Sequence, residues 1–284
     1  MSIKEEKGFL FFYAYILPRF FFNMIIKEFS NLPLYQFESL AKCKELVHYV
    51  SGRAGGITPD PLGSLNLSFK VGDDASNVQE NRKKLATSLG LSPEFLIFPD
   101  QTHSTNVKLI STGSEDLDNT DALITNTKGI CISAMAADCV PVLLYDPVRK
   151  ACAAIHSGWK GTVGKIVANT IGQMEKNFGS DPLSLVACIG PSICQDVYQV
   201  GPEVIREVKA VYGCGIDLIK NVDENGKGYL NLWEANRMQL IAEGVLQKNI
   251  EVAGICTYSN SDKFFSARKS KNNTGRFAAG IMLK

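Results

Sequence analysis

Histidine is nearly absent from this chain: His48, His103 and His156 are its only three imidazoles in 284 residues. That scarcity excludes chemistry needing a large imidazole cluster. Paired cysteines are missing too. The eight cysteines stand singly, with no CxxC spacing, so neither a zinc ribbon nor the disulfide framework of a small secreted domain is encoded. In a chain of this size, scattered thiols read as reduced and cytoplasmic. An excess of charge is lacking as well. A formal net charge of +1 leaves no footprint for nucleic acid or an anionic membrane. Internal repeats and low-complexity tracts are also absent.

One long apolar run exists, Gly8 to Ile26, but Pro18-Arg19 splits it into pieces shorter than the ~20 residues of a membrane span. It has neither the small-residue cleavage site nor the basic start of a signal peptide. Residues 1–30 are therefore read as an apolar segment outside the domain. Met24 is read as the start, with residues 1–23 as upstream sequence, and a signal-like segment is the second reading. Residues 31–284 form one domain.

Within that domain strand and helix patterns alternate. Leu46–Val50, Ile130–Ala136, Val140–Tyr145, Ala151–Ile155, Val186–Ile189, Val252–Thr257 and Phe277–Leu283 carry the β-rich composition of strands. Helices are expected over Asn77–Leu89, closed by Gly90, over Val163–Phe178, and over Glu203–Tyr212. A fourth opens at Asn231, with Glu234 three residues on in a capping-box arrangement. The fold class is α+β: one domain of packed mixed sheets with helices outside.

The chemistry concentrates in three places. His103 lies in Gln101-Thr102-His103-Ser104, Cys139 in Ala137-Asp138-Cys139-Val140-Pro141, and His156 in His156-Ser157-Gly158-Trp159-Lys160-Gly161. Two imidazoles and a thiolate suit Zn²⁺, and three protein ligands leave a fourth position open, as catalytic zinc sites do. Their separations match no zinc-finger spacing, so only the fold can assemble such a site. A buried thiol and two satisfied histidines are the plain alternative. Each candidate sits at a strand end or in the loop after it, where a rigid sheet presents side chains to a cleft.

Cationic candidates for an anionic substrate are Arg53, beside a Gly-Gly loop that permits close backbone approach, and Arg82. In the charged stretch Arg82-Lys83-Lys84 the ordinary reading is a solvated helix face. His48, within an apolar strand pattern, reads as structural. Asp138 is placed to orient a ligand histidine or to accept a substrate hydrogen bond. Asn66, Lys160 and Arg276 are further pocket candidates.

An ordered series of motifs then carries a resemblance. It runs from His48 and Arg53-Ala54-Gly55-Gly56 through Ser64-Leu65-Asn66-Leu67, Val71-Gly72-Asp73-Asp74, Glu80-Asn81-Arg82, Gln101-Thr102-His103 and Thr120-Asp121-Ala122-Leu123. It continues through Ala137-Asp138-Cys139-Val140-Pro141 and His156-Ser157-Gly158-Trp159-Lys160-Gly161 to Thr274-Gly275-Arg276-Phe277-Ala278-Ala279. The series resembles the laccase-domain, YfiH-like or polyphenol oxidase-like, family. That resemblance implies a purine nucleoside phosphorylase acting on adenosine or inosine with phosphate, with adenosine deaminase and methylthioadenosine phosphorylase activities among relatives. It also implies a fold related to toxin Cys-His hydrolases. By motif match, His103, Cys139 and His156 take the places of the family's zinc ligands and catalytic residues. Arg82 takes the place of an arginine implicated in nucleoside or phosphate binding; Arg53 and Lys160 join it as substrate-binding candidates from the reading of the residues themselves. Two departures are visible: Gln-Thr-His-Ser for the usual Gln-x-His-Gly, and Lys160 for the usual arginine. The lysine keeps the charge but not a planar, bidentate fork.

Multicopper oxidation is excluded by composition, since its copper sites need roughly ten histidines. The residues alone leave phosphorolysis and zinc-assisted deamination both open. They leave open a metal-free cysteine hydrolase or amidase, including one editing cell-wall precursors, with Cys139 as nucleophile and His156 as base. A non-enzymatic nucleoside-binding protein is the remaining alternative.

Overall fold

All seven residues of Val140–Asp146 and all seven of Ala151–Ser157 are buried, so the sheet that contains them is covered on both faces. A computed structural model describes residues 24–30, 32–214 and 217–284 and shows how. In chain order the strands are β1 (Ile25–Phe29), β2 (Leu32–Gln36), β3 (Leu46–Ser51), β4 (Leu96–Ile97), β5 (Val107–Leu109), β6 (Ala122–Thr125), β7 (Cys131–Ala136) and β8 (Val140–Asp146). They continue with β9 (Ala151–Ser157), β10 (Val186–Ile189), β11 (Gln199–Val200), β12 (Ile219–Lys220), β13 (Gly228–Leu230), β14 (Ile250–Val252) and β15 (Phe277–Leu283). The helices are α1 (Glu38–Ala41), α2 (Ala75–Ser88), α3 (Trp159–Val163), α4 (Ile166–Phe178), α5 (Pro202–Tyr212) and α6 (Leu232–Ala242).

Two mixed six-stranded sheets form the body among the described residues, in the orders β1-β2-β3-β15-β7-β4 and β14-β10-β8-β9-β6-β5. A small sheet, β11-β13-β12, lies beside them. Alternation along each strand sorts side chains into separate cores. On β7, Ile132 and Ala134 face inward and meet Leu143, Tyr145, Cys152 and Ala154 of the second sheet. Cys131 faces the other way, joining Tyr49, Ala278 and Met282 beneath Leu85, Ala86 and Leu89 at α2. The far face of the second sheet, with Val142, Leu144, Ala153 and Ile155, packs against Ile171 and Met174 of α4, Val208 of α5 and Met238 of α6. The result is four layers, helix, sheet, sheet, helices, which is the expected α+β class with helices outside. Each such buried Val, Leu, Ile or Met side chain contributes about 1.5–3 kcal/mol.

Helix starts follow the local chemistry. Asp74 caps α2 by accepting the Ser76 N–H at 2.8 Å, and Asn231 caps α6 by accepting the Glu234 N–H at 3.1 Å. Two expected elements differ. The helix anticipated over Val163–Phe178 is two helices, because Lys165 takes a left-handed φ of 61° between them. A Cβ on the adjacent Gly164 would lie 2.4 Å from Thr105 Cγ2, so that corner is held closely against the loop carrying His103. The strand anticipated over Val252–Thr257 ends at Val252, since Gly254 at φ 65° turns the chain out of the sheet.

The expected boundary at residue 30 falls inside a hairpin, as β1 pairs antiparallel with β2 from Ile25 opposite Gln36 to Phe29 opposite Leu32. Met24 packs into the inter-sheet core. The readings of residues 1–23 lie outside the described residues. No helix among the described residues is long and apolar enough to cross a membrane.

Candidate metal centre and cleft

The site forms where the chain crosses between the two sheets. β7 belongs to the first sheet and β8 to the second, and the link between them, Ala137-Asp138-Cys139, spans the gap at the sheet ends. β9 runs antiparallel to β8 and pairs His156 opposite Pro141, which brings the imidazole beside the thiol. His103 arrives from the loop after β4. Gln101 secures that loop to the end of β7, its amide donating to Met135 O at 2.8 Å and accepting the Met135 N–H at 2.7 Å.

His103, Cys139 and His156 thus meet, with one ligand atom from each lying within 4.8 Å of the others. Cys139 Sγ is 3.9 Å from His103 Nε2, and the two imidazole rings stand edge to face with centroids 4.9 Å apart. Two backbone features permit the approach. His103 and Asp138 both take left-handed φ values, 62° and 86°, uncommon for residues with a Cβ and frequent at functional sites. Gly158 closes the third side. A Cβ there would sit 3.0 Å from both Cys139 Sγ and His103 Cδ2, so any side chain would press on the cluster.

Asp121, fully buried just ahead of β6, organises the histidines. Its Oδ1 lies 2.8 Å from His156 Nδ1 and accepts the His103 N–H at 3.1 Å. Its Oδ2 accepts the Ser104 N–H and the Ser104 hydroxyl, both at 2.7 Å, and the Thr102 N–H at 3.1 Å. Burial alone would raise this carboxyl, but the hydrogen bonds from His156 and Ser104 outweigh it and hold Asp121 at about 2. With Nδ1 engaged, His156 presents Nε2 to the cluster, the carboxylate–histidine arrangement usual around bound metals. Burial would likewise raise the Cys139 thiol. The neighbouring His156 and His103 bring it down to about 6, while Cys139 and Asp121 lift His156, against burial, to about 9. Each of the two groups thus favours the charged form of the other. The donor set fits a metal ion: two aromatic nitrogens and a thiolate converge, and one histidine is already oriented from behind.

A cleft of about 560 Å³ opens over the cluster, ample for a small ligand. Lys70, Gln101, Met135, Tyr198, Arg268, Lys271 and Arg276 line it with the three ligand candidates. Burial lowers Arg276 from its ordinary value, opposed by the Cys139 and Asp138 charges nearby. Its backbone N–H is held by buried Asn66 at 3.0 Å. Arg268 stacks over the Tyr198 ring at 5.1 Å and donates to Gln199 O at 2.9 Å. Lys70 pairs with Asp100.

The expected cationic residues are placed elsewhere. Arg53 donates to Gly63 O and Ser261 O at 2.8–3.1 Å, tying two loops together away from the cleft lining. Arg82 is held between the Phe69 and Phe98 rings, 4.5 and 4.3 Å from their centroids, and donates to Leu67 O; burial brings it down to about 10. It touches Met135 Sδ at 3.9 Å, behind the cleft wall. Lys160 is exposed on α3 with its ammonium over Trp159. Asp138 does not orient a histidine: its carboxylate accepts the Thr257 hydroxyl and the Arg268 N–H, both at 2.6 Å. His48 is structural, its buried Nε2 accepting the Phe37 N–H at 2.9 Å.

Two kinds of residue escaped the sequence reading. Asp121 stands in the Thr120-Asp121-Ala122-Leu123 motif, and a carboxylate directly before a fully buried strand was its available signal. Arg268, Lys271 and Tyr198 come from irregular segments with no local pattern to mark them.

Fold and site together define a single-domain mixed-sheet protein with an open His-Cys-His group at the floor of a cationic cleft. The chain belongs to the family described as multi-copper polyphenol oxidoreductase laccase, whose profile matches residues 47–284. It is 42% identical over 259 residues to a purine nucleoside phosphorylase of Bacteroides thetaiotaomicron, covering 87% of this chain and 95% of that one. It is 38% identical over 229 residues to adenosine deaminase RL5 of an unknown prokaryotic organism, covering 78% and 87%. The crystal structure of Bacillus licheniformis YfiH superposes with a TM-score of 0.83 at 30% identity, covering 90% of this chain and 98% of that one.

Proposed function

We propose that this chain is a zinc-dependent purine nucleoside phosphorylase of the cytoplasm, taking adenosine or inosine and inorganic phosphate to the free base and ribose 1-phosphate. Methylthioadenosine is included as a substrate, and adenosine deamination as a side activity. The observation that carries the reading is the convergence of His103, Cys139 and His156 beneath a cleft walled by Arg268, Lys271 and Arg276. The relatives named purine nucleoside phosphorylase supply the reaction class.

The reaction needs a phosphate oxygen brought in line with ribose C1′. The C1′–O bond forms as the C1′–N9 bond breaks, and the base leaves with the bonding pair and takes up a proton. In this proposal Arg276 and Arg268 hold the phosphate oxygens, guanidinium being the group suited to paired contacts with phosphate. Lys271 adds charge at the cleft mouth. Arg82, expected at the substrate by motif, and Arg53, expected there from its glycine loop, act here through the walls: Arg82 braces Met135, and Arg53 clasps the loops at Gly63 and Ser261. His103, Cys139 and His156 would hold the zinc, with Asp121 fixing His156. When bound, zinc supplies a positive charge that orients and polarises a substrate oxygen.

A second reading has its own observation. Cys139 Sγ and a ring nitrogen of His156 lie within 4.8 Å of each other, the thiol–imidazole juxtaposition that a cysteine nucleophile of an amidase acting on cell-wall precursors would need. Chromatography of products from adenosine, with and without phosphate, separates the readings. Adenine with ribose 1-phosphate supports phosphorolysis, and inosine with ammonia supports deamination. Absence of reaction with every purine nucleoside, together with amide hydrolysis by metal-free protein, would establish the hydrolase.

A further inference from the structure

Outside the metal group a second pair of reactive side chains meets. Cys194 follows the loop that leaves β10, and Cys256 lies in the loop that leaves β14. The two loops run side by side: the Ser192 N–H donates to Ile255 O at 3.1 Å, the Thr257 N–H to Ser192 O at 3.2 Å, and Ser192 bridges Cys256 in parallel. This brings the Cys194 backbone nitrogen to 3.3 Å from Cys256 Sγ, its N–H donating to the sulfur. Both cysteines are free.

From this juxtaposition we infer that Cys194 and Cys256 are a redox dithiol, a modification site on the cleft wall that peroxide closes to a disulfide. The asymmetry of the pair supplies the roles. Burial opposes ionisation of both thiols. At Cys256 the Cys194 thiol and N–H and the Ser259 N–H and hydroxyl overcome it, whereas Cys194 is raised. With the Cys194 N–H donated to its sulfur, Cys256 is the more readily ionised of the two and takes the oxidant, and Cys194 is the resolving thiol. One oxygen of hydrogen peroxide passes to Cys256 sulfur, giving a sulfenic acid; the other takes up protons and leaves as water. The Cys194 sulfur then displaces that hydroxyl as a second water and forms the S–S bond. The sulfurs lose two electrons in all, and the peroxide gains them. Access differs from that of the sealed thiols: Cys131, Cys152 and Cys188 are at 0% exposure, Cys256 is at 8%, and Cys194 is half-buried.

The pair also sits where a change of covalent state reaches the cleft. The Ile193 N–H donates to Asp138 O at 3.0 Å, and the Thr257 hydroxyl to the Asp138 carboxylate, so both cysteines are chain neighbours of groups that grip the residue before Cys139. Tyr198, a lining residue, follows the short 3-10 turn Gln195–Val197 that Cys194 caps. Closing the disulfide pulls on these loops from behind.

The test uses full-length, metal-loaded protein exposed to hydrogen peroxide, then alkylated, reduced, alkylated with a second reagent and mapped by peptide mass spectrometry. The expected result is a dithiothreitol-reversible peptide cross-link between Cys194 and Cys256, formed before the exposed Cys214 is consumed. In Cys194→Ser, dimedone should instead trap a sulfenic acid at Cys256. Trp233, whose indole donates to Ser192 Oγ at 2.6 Å, is a second reporter, and its fluorescence should shift with closure and return on reduction. Both thiols staying alkylatable while Cys214 is fully oxidised would overturn the inference. So would a cross-link that joins either one to Cys139. The readout is covalent and does not depend on which reaction the cleft catalyses.

Discussion

The Asp121 carboxylate spans both histidines of the cluster, lying 2.8 Å from His156 Nδ1 and accepting the His103 backbone N–H at 3.1 Å. One buried group thereby fixes an imidazole on β9 and the loop that delivers a second imidazole from the other sheet's side. Asp121→Ala should lower metal affinity about 10–100-fold, in line with outer-shell carboxylates elsewhere. Competition with a chelating dye measures it. An unchanged affinity would show that His156 is oriented by other contacts.

Wild-type protein should carry about one zinc per chain, and Cys139→Ala should lose most of it, since the only thiolate of an open three-ligand site is removed. Elemental analysis after gel filtration reads this directly. Full zinc occupancy in Cys139→Ala would refute the ligand assignment.

Gly158→Ala is a steric test of the same site. The backbone φ of −75° suits alanine, so folding should persist, but the new Cβ would lie 3.0 Å from Cys139 Sγ and from His103 Cδ2. Turnover and metal content should both fall while the thermal midpoint changes little. Wild-type turnover in this variant would mean that the cluster is looser than the structure shows.

Phosphate dependence distinguishes the cleft arginines from those at its walls. Losing a charge-assisted hydrogen bond costs about 1.5–3 kcal/mol, so Arg276→Gln should raise the KM for phosphate roughly tenfold or more while zinc content is retained. Arg82→Met should act mainly on stability, because its guanidinium is packed between Phe69 and Phe98. A phosphate effect confined to Arg82 would reverse these roles and restore the assignment made from motifs.

Stability should fall with acid through His48. Burial pulls this imidazole from 6.5 down to about 4, and its Nε2 can accept the Phe37 N–H only while unprotonated. Between these values the unfolded chain binds a proton that the folded chain refuses. Stability is therefore full above pH 6.5, falls as pH drops toward about 4, and loses nothing further from this group below that. The contribution at stake is about 3 kcal/mol. Urea unfolding at neutral, mildly acidic and acidic pH measures the slope, and His48→Gln should flatten it.

Two strands of the sheets behind the site were legible for a local reason. Val186–Ile189 and Phe277–Leu283 are β-rich runs bounded by turn residues, and they appear with the anticipated limits. The cap at Asn231 was equally visible, since capping is settled within three residues. The helix break at Lys165 was not: a left-handed φ at a lysine has no local signal, and Thr105, which crowds the adjacent Gly164, is distant in sequence and close in space.

Chain order and side-chain chemistry alone determined which three residues are suited to a soft-to-borderline metal, and that only three imidazoles exist to serve. Which residues share the cleft was decided by tertiary structure. Arg53 and Arg82 stand in motifs, yet their guanidiniums are engaged by backbone carbonyls and aromatic rings. Arg268 and Lys271 stand in an irregular segment and reach the cleft because the Asp138 carboxylate holds the Arg268 N–H. Likewise, the carboxylate next to Cys139 in sequence turns away to Thr257, and Asp121 orients His156. Adjacency along a chain fixes only the distance between backbones. Where a charged side chain ends depends on which buried partner offsets its desolvation, and that partner is brought by the packing of one sheet on another.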